Sequence, residues 1–329
     1  GLKVGEDFKV GEGGEGTGGT GSLGSALVRA LLAERVKKVC VYSRDELKQH
    51  DLREALEDPP SARWFIGDVR DKDRLRYAMY GIDVVVHAAA LKQVPACEYN
   101  PLEAVQTNVM GTCHVVEAAV TAGVHRALLV STDKACQPAT LYGATKLTAE
   151  RLFAHGNAYG PRTKFAAVRY GNVIGSRGSV VHTFRRQARE GRLLLTDPDS
   201  TRFWITLTDA VRFVLAAVFH MQGGEVSVPI LPSARVADVA EAVAPGVPRE
   251  VVGLRAGEKR HEILISPDEA DRTIELWDED RVRYVIVPPD DPTWKSVARK
   301  DADFSFASNS SSTRRLTVDE LRAAIGEVP

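Results

Sequence analysis

The 329-residue sequence has no apolar run long enough to span a bilayer, and its formal charge is only −1. The first absence argues against a membrane-spanning helix. The second removes the electrostatic basis for binding nucleic acid or an anionic membrane surface. Cysteine is scarce: Cys40, Cys97, Cys113 and Cys136 stand apart, without close pairs or metal-ligand spacing. That pattern offers neither a disulfide framework nor a metal centre, and reads as small buried residues in a reducing compartment. No internal repeat or leader segment is visible, and the chain opens at Gly1 rather than Met, as a trimmed start would. A soluble, cytoplasmic protein without bound metal is expected. The most informative absence is local. Residues 8–24 read FKVGEGGEGTGGTGSLG, and where an apolar strand should lead directly into a glycine loop stand Gly11 to Gly16, with Glu12 and Glu15 among them.

What is present is a regular alternation. Short β-branched runs at 37–43, 62–68, 83–90, 126–131 and 164–170 are separated by amphipathic segments at 22–34, 45–56, 71–79, 101–122 and 140–157. Continuous apolar strands between helices predict an α/β fold with a doubly wound parallel (Rossmann) sheet, whose ligand crevice lies at the strands' carboxyl ends. After about residue 172 the segments shorten and Gly and Pro become more frequent. This divides the chain into a nucleotide-binding domain over 1–171 and a smaller substrate-binding region and C-terminal subdomain over 172–329, with 201–220 returning to the first.

Each motif lies at a predicted strand end. Gly18, Gly21 and Gly24 have the spacing of a dinucleotide loop, and GSLGSALVRALL continues as a helix whose N-terminus favours a pyrophosphate. Thr20, Ser22 and Leu23 belong to the same turn. At the next strand end, in YSRDELK, Ser43 and Arg44 occupy the place of a ribose-binding carboxylate, with Lys48 one turn on. Arginine's planar fork suits a 2′-phosphate, so NADP is favoured over NAD. A solvated helix start, or Asp45 as the ribose ligand, is the alternative. In GDVRD, Asp68 and Val69 are placed beside the adenine.

The strongest motif is STDKACQPATLYGATK, residues 131–146. Tyr142 and Lys146 are four apart and share one helix face. An ammonium and an oxidised nicotinamide nearby would favour the phenolate, letting Tyr142 take a proton from a sugar hydroxyl, with Thr132 as a helper. Asp133 and Lys134 add an acid–base pair that an epimerase does not need but the elimination of water does. As a bare dipeptide they are equally a surface ion pair worth little energy.

Together TGGTGSLG, VYSRDELKQ, FIGDVRD, HAAALKQVPACEYNP, TNVMGT, STDKA, LYGATK, RYGNVIGSRGSV and TRFWIT resemble the extended short-chain dehydrogenase/reductase superfamily. Within it they are similar to the soluble inverting UDP-N-acetylglucosamine 4,6-dehydratases, C5-epimerising, of the pseudaminic acid type. The resemblance implies that tightly bound NADP takes a hydride from C4 and returns it to C6. Tyr142 would deprotonate the C4 hydroxyl, and Lys146 would hold the ribose and lower the tyrosine pKa. Lys134 would remove the C5 proton, and Asp133 would protonate the leaving C6 hydroxyl. Asn108 matches a position supporting the tyrosine–lysine pair. Ala88, Ala89 and Ala90 would line the cofactor, with Tyr170, Gly171 and Asn172 near the nicotinamide or sugar. Lys92, Asn172, Arg177, Ser179, Arg202, Arg255 and Glu258 match positions holding the UDP-sugar, and homo-oligomers are implied. Ala256 stands where the family usually has proline. Retaining and membrane-bound relatives generally carry methionine at the place of Tyr142, so the inverting branch is implied. A nucleotide-sugar 4-epimerase, a retaining dehydratase and a degenerate nucleotide binder are the competing readings.

The first strand remains anomalous. Each buried Val or Leu in a central strand contributes ~1.5–3 kcal/mol, which glycine forfeits, and a buried unpaired glutamate costs more. A tolerated lesion, a locally wrong sequence, or a strand built from Leu2 and Val4 with residues 11–16 looped out would each account for it. The expectation is a damaged or wrong segment.

Overall fold

The β-branched runs form parallel strands in the computed structural model, which describes residues 7–11, 19–160, 162–176, 178–278, 281–289 and 292–326. They are β1 (Asp7–Gly11), β2 (Lys38–Ser43), β3 (Ala62–Ile66), β4 (Val84–His87), β5 (Arg126–Val130) and β6 (Lys164–Val168). Their order across the sheet is β3-β2-β1-β4-β5-β6. This is the doubly wound order, with its crevice where the order reverses between β1 and β4. All four residues of β4 are buried, as expected for a strand covered on both faces.

The first strand of the sheet begins ahead of the anomalous stretch. β1 is Asp7–Gly11, paired in parallel with β2 (Phe8 opposite Val39, Val10 opposite Val41) and with β4 on its other side. The described central strand thus ends at Gly11, the first residue of the glycine–glutamate stretch. Residues 12–18, including Gly18, and the alternative strand residues Leu2 and Val4 lie outside the described residues.

Helices cover both faces. Leu27, Val28 and Leu31 of Ser22–Ala33 share one core with Ala210, Val214 and Val218 of Leu207–His220. Leu75, Val115, Val116, Ala149 and Phe153 fill the other. Three of the amphipathic segments start at side-chain caps that satisfy free N–H groups: Asp45 accepts from the Lys48 N–H, Asp71 from Arg74 and Thr140 from Gly143.

Residues beyond 172 also enter the large sheet. Val226–Pro229 runs parallel to β6, and the hairpin of Thr273–Asp278 and Arg281–Ile286 adds antiparallel to it, giving nine strands. Residue 171 is therefore not the end of the sheet. A separate small core joins Phe184, Trp204, Val239 and Leu321. A buried ion cluster ties the C-terminal half to the first: Arg169, just after β6, donates to Glu150, to Glu269 and to the carbonyl of Leu264.

Candidate active site

A cavity of about 670 Å³ opens at the carboxyl ends of β4, β5 and β6. The helix Leu141–His155 brings Tyr142 and Lys146 to its wall, both nearly fully buried. Lys146 Nζ donates to the Val130 carbonyl at the end of β5, 2.8 Å away. That helix can approach because residue 143 is glycine: a Cβ there would lie 2.3 Å from the Lys134 carbonyl oxygen.

The Asp133–Ala135 turn is pinned to β6. The Ser131 N–H donates to the Val168 carbonyl, and the Asp133 N–H to that of Tyr170. Asp133 is fully buried, and its Oδ1 accepts from the Thr132 hydroxyl at 2.9 Å and from Lys134 Nζ at 3.1 Å. Lys134 Nζ also meets Glu262 Oε1 at 3.3 Å. Asp133 Oδ2, Glu262 Oε2, Ser131 Oγ and Ser179 Oγ are buried with no hydrogen-bond partner among the described residues. Ser131, Ser179 and Glu262 belong to the cavity wall.

Burial sets the titration of these groups. It pushes the Tyr142 phenol up to about 12, opposed mainly by the Lys134 ammonium and, more weakly, by the Thr132 hydroxyl. It pulls Lys146 down to about 8, with Glu150 acting the other way. At Lys134 burial also favours the amine, but Asp133 and Glu262 outweigh it and hold the group well above an ordinary lysine. Lys134 thus joins Lys146, to which the sequence reading looked, as a cation on the Tyr142 side of the cavity.

Asn108 sits one layer back, on a π-helical turn spanning Val105–Met110. Its side chain exchanges two hydrogen bonds with the backbone of Leu91 and donates to Thr145 Oγ1. Thr145 in turn donates to the Tyr142 carbonyl, so Asn108 supports the helix rather than touching the phenol.

Other predicted residues divide clearly. Ser22, Leu23, Ala88, Ala90, Tyr170 and Asn172 line the cavity, as do Lys92, Ser179, Arg202, Arg255 and Glu258. Thr20, Gly21, Gly24 and Ala89 are buried beside it. Arg177 lies outside the described residues. Arg202 is buried and already engaged: it donates to Glu258 and to the carbonyls of Thr201 and Arg260.

At the ends of β2 and β3 the picture is mixed. Ser43 is fully buried and its hydroxyl accepts from Gln49, so this side chain faces the protein, correcting its assignment to a ligand. Asp45 is occupied as a helix cap and in an ion pair with Lys48. Arg44, about one-third exposed, makes among the described residues a long 3.5 Å contact to Asp68, whose carboxylate is chiefly held by Arg70. Val69 is buried under this turn.

Glu262, Ser131 and Thr140 were not singled out by the sequence reading, yet all line the cavity. Glu262 precedes the strand Ile263–Ile265 and carries no local motif; only the fold brings it to Lys134.

The chain is similar to known proteins over most of its length. A UDP-N-acetylglucosamine 4,6-dehydratase (inverting) of Campylobacter jejuni is 48% identical over 273 residues, covering 82% of this chain and 79% of the relative. A UDP-glucose 4-epimerase of Rickettsia canadensis is 37% identical over 315 residues, covering 91% and 89%. The X-ray structure of Pen from Bacillus thuringiensis matches with a TM-score of 0.88 at 34% identity, over 98% of both chains. Residues 16–283 match the family described as "Polysaccharide biosynthesis protein", and the chain belongs to that family.

Proposed function

We propose that the protein is an inverting UDP-N-acetylglucosamine 4,6-dehydratase. The reading rests on one observation above all: Lys134 lines the same cavity as Tyr142 and Lys146, and Asp133, buried directly behind that wall, is paired with its Nζ. An epimerase needs only the second pair. The 48% identity to a dehydratase, against 37% to an epimerase, supports the same choice.

The site's residues fit a nicotinamide dinucleotide. The start of the helix Ser22–Ala33 and the small side chains of Ala88 and Ala90 line one stretch of the wall, and the buried Ser131 hydroxyl lacks a partner among the described residues. When bound, this group supplies the oxidation at C4 and its reversal at C6. Arg44 and Lys48 favour the 2′-phosphorylated form, since the Arg44 guanidinium is loosely engaged among the described residues.

The chain's own groups do the proton chemistry. Tyr142 takes the proton of the C4 hydroxyl, with Thr132 and the Lys134 ammonium favouring its phenolate. Lys134, as the free amine, removes the C5 proton acidified by the C4 ketone. Asp133 protonates the departing C6 hydroxyl. Reprotonation at C5 from the opposite face gives the L-arabino 4-keto-6-deoxy sugar. Lys92, Ser179, Arg255 and Asn172 line the cavity, which supports reading them as the groups that hold the UDP-sugar. Among the described residues no helix is long and apolar enough to cross a membrane. A cytoplasmic role in pseudaminic acid synthesis, by a homo-oligomer, completes the proposal; the exposed Tyr80 and Tyr99 offer apolar surface for association.

Incubation with UDP-N-acetylglucosamine tests the reading. The product should be lighter by one water and inverted at C5. An unchanged mass with a galacto product would establish an epimerase instead.

A further inference from the structure

Lys134 presents a difficulty for the proposed chemistry: a base must begin as the free amine, yet this ammonium is bracketed by two buried carboxylates. Asp133 Oδ1 lies 3.1 Å from Nζ and Glu262 Oε1 lies 3.3 Å away. Glu262 is itself fixed. Its N–H donates to Ser308 Oγ, its carbonyl accepts from the Ser308 N–H, and Ser308 is fully buried against Thr201. Arg202 Nε stands 4.0 Å from Glu262 Oε1, but that guanidinium is already committed to Glu258 and two carbonyls. The second oxygens of both Asp133 and Glu262 are buried and unpartnered among the described residues.

Resting on the dehydratase reading, we propose that Glu262 is the positioning residue of the elimination step, a fixed anion that aims Lys134 Nζ and keeps one shared proton on the Asp133–Lys134 pair. The proton accounting is closed. In the resting pair the proton is on Nζ. Its transfer breaks one N–H bond and forms an O–H bond on Asp133, leaving a free amine and a carboxylic acid with no change in net charge. The amine then takes the C5 proton, and the Asp133 proton leaves with the C6 oxygen as water. Both partners are armed only while the shared proton is retained. The Glu262 charge retains it, and throughout the exchange its carboxylate accepts an N–H bond that turns the amine's lone pair away from itself.

The groups facing Lys134 are Asp133 on its own turn, Glu262 and Arg202 from the C-terminal half, and the Tyr142 phenol from the helix Leu141–His155. Of these Glu262 and Arg202 have no role in the proposed bond making, and Glu262 is the one that carries a carboxylate against Nζ. Glu262→Gln keeps the shape and removes the charge, so the pair should surrender its proton at lower pH. The alkaline limb of the kcat profile should move down by about one to two pH units. At neutral pH kcat should fall roughly tenfold or more with little change in KM. Glu262→Asp, which keeps the charge, should restore the alkaline limb, and a cooperative melt raised by UDP should show that each variant is folded and binds nucleotide.

A Glu262→Gln profile superimposable on the wild type, or a loss confined to KM, overturns the proposal and leaves Glu262 a binding or packing group. Wild-type protein that removes no water from UDP-N-acetylglucosamine overturns the underlying reading instead, so the two failures are distinguishable.

Discussion

Lys146 shows what the site costs the fold. Burial lowers its pKa from 10.5 to about 8, against the opposing pull of Glu150. Below pH 8 both folded and unfolded chains carry the proton, and the folded state bears the full penalty, of order 3 kcal/mol. Between pH 8 and 10.5 the unfolded chain holds more protons, so stability rises with pH as the penalty is relieved. Lys146→Met removes that penalty and also the hydrogen bond to Val130, worth about 1 kcal/mol. The inactive variant should therefore melt no lower than the wild type at pH 7, with its advantage shrinking as pH rises through the window from 8 to 10.5. A variant melting well below the wild type at pH 7, by a gap that pH does not change, would sink this account. The Tyr142–Lys146 pairing was legible because helical spacing alone puts the two side chains on one face. Glu262 was not, because its relation to Lys134 exists only after the chain has folded.

At the scale of elements, the cluster of Arg169, Glu150 and Glu269 decides how the C-terminal segment meets the catalytic helix. Glu150 lies one turn beyond Lys146 on Leu141–His155, and Glu269 completes a capping box with Ser266. Arg169 is buried and bridges both carboxylates. Removing a single member of a buried cluster leaves charge without compensation, a loss of roughly 3–5 kcal/mol. Arg169→Met should lower the melting temperature by several degrees, and adding Glu150→Gln and Glu269→Gln should recover part of the loss. A melt indistinguishable from wild type would mean that the cluster does not hold the segment. The strands and helices themselves could be read in advance, since their periodicity is local. Arg169 could not be distinguished from a surface arginine, because its partners come from two distant segments. β1 was misplaced for a related reason: the glycine loop sets where a strand ought to end, whereas the pairing of Asp7–Gly11 with β2 and β4 places it several residues earlier.

At the scale of the whole molecule, the cavity draws its wall from Ser22 near one end of the chain to Glu262 near the other. The large sheet likewise combines β1 to β6 with strands at 226–229, 273–278 and 281–286. A change of rhythm near residue 172 was visible in the sequence, but composition cannot show that later strands rejoin the earlier sheet. A ligand that fills this cavity therefore bridges segments that loops alone connect, and it binds only when all of them are folded. Free energy of binding then appears as stability of the entire chain, about 2.7 kcal/mol at a hundredfold excess over Kd. UDP alone should raise a single melting transition by a few degrees, and so should NADP alone. Both together should raise it further, even in a Tyr142→Phe variant that cannot turn over. Two separate transitions, with UDP moving one and NADP the other, would mean that the halves unfold independently and that the shared wall does not couple them.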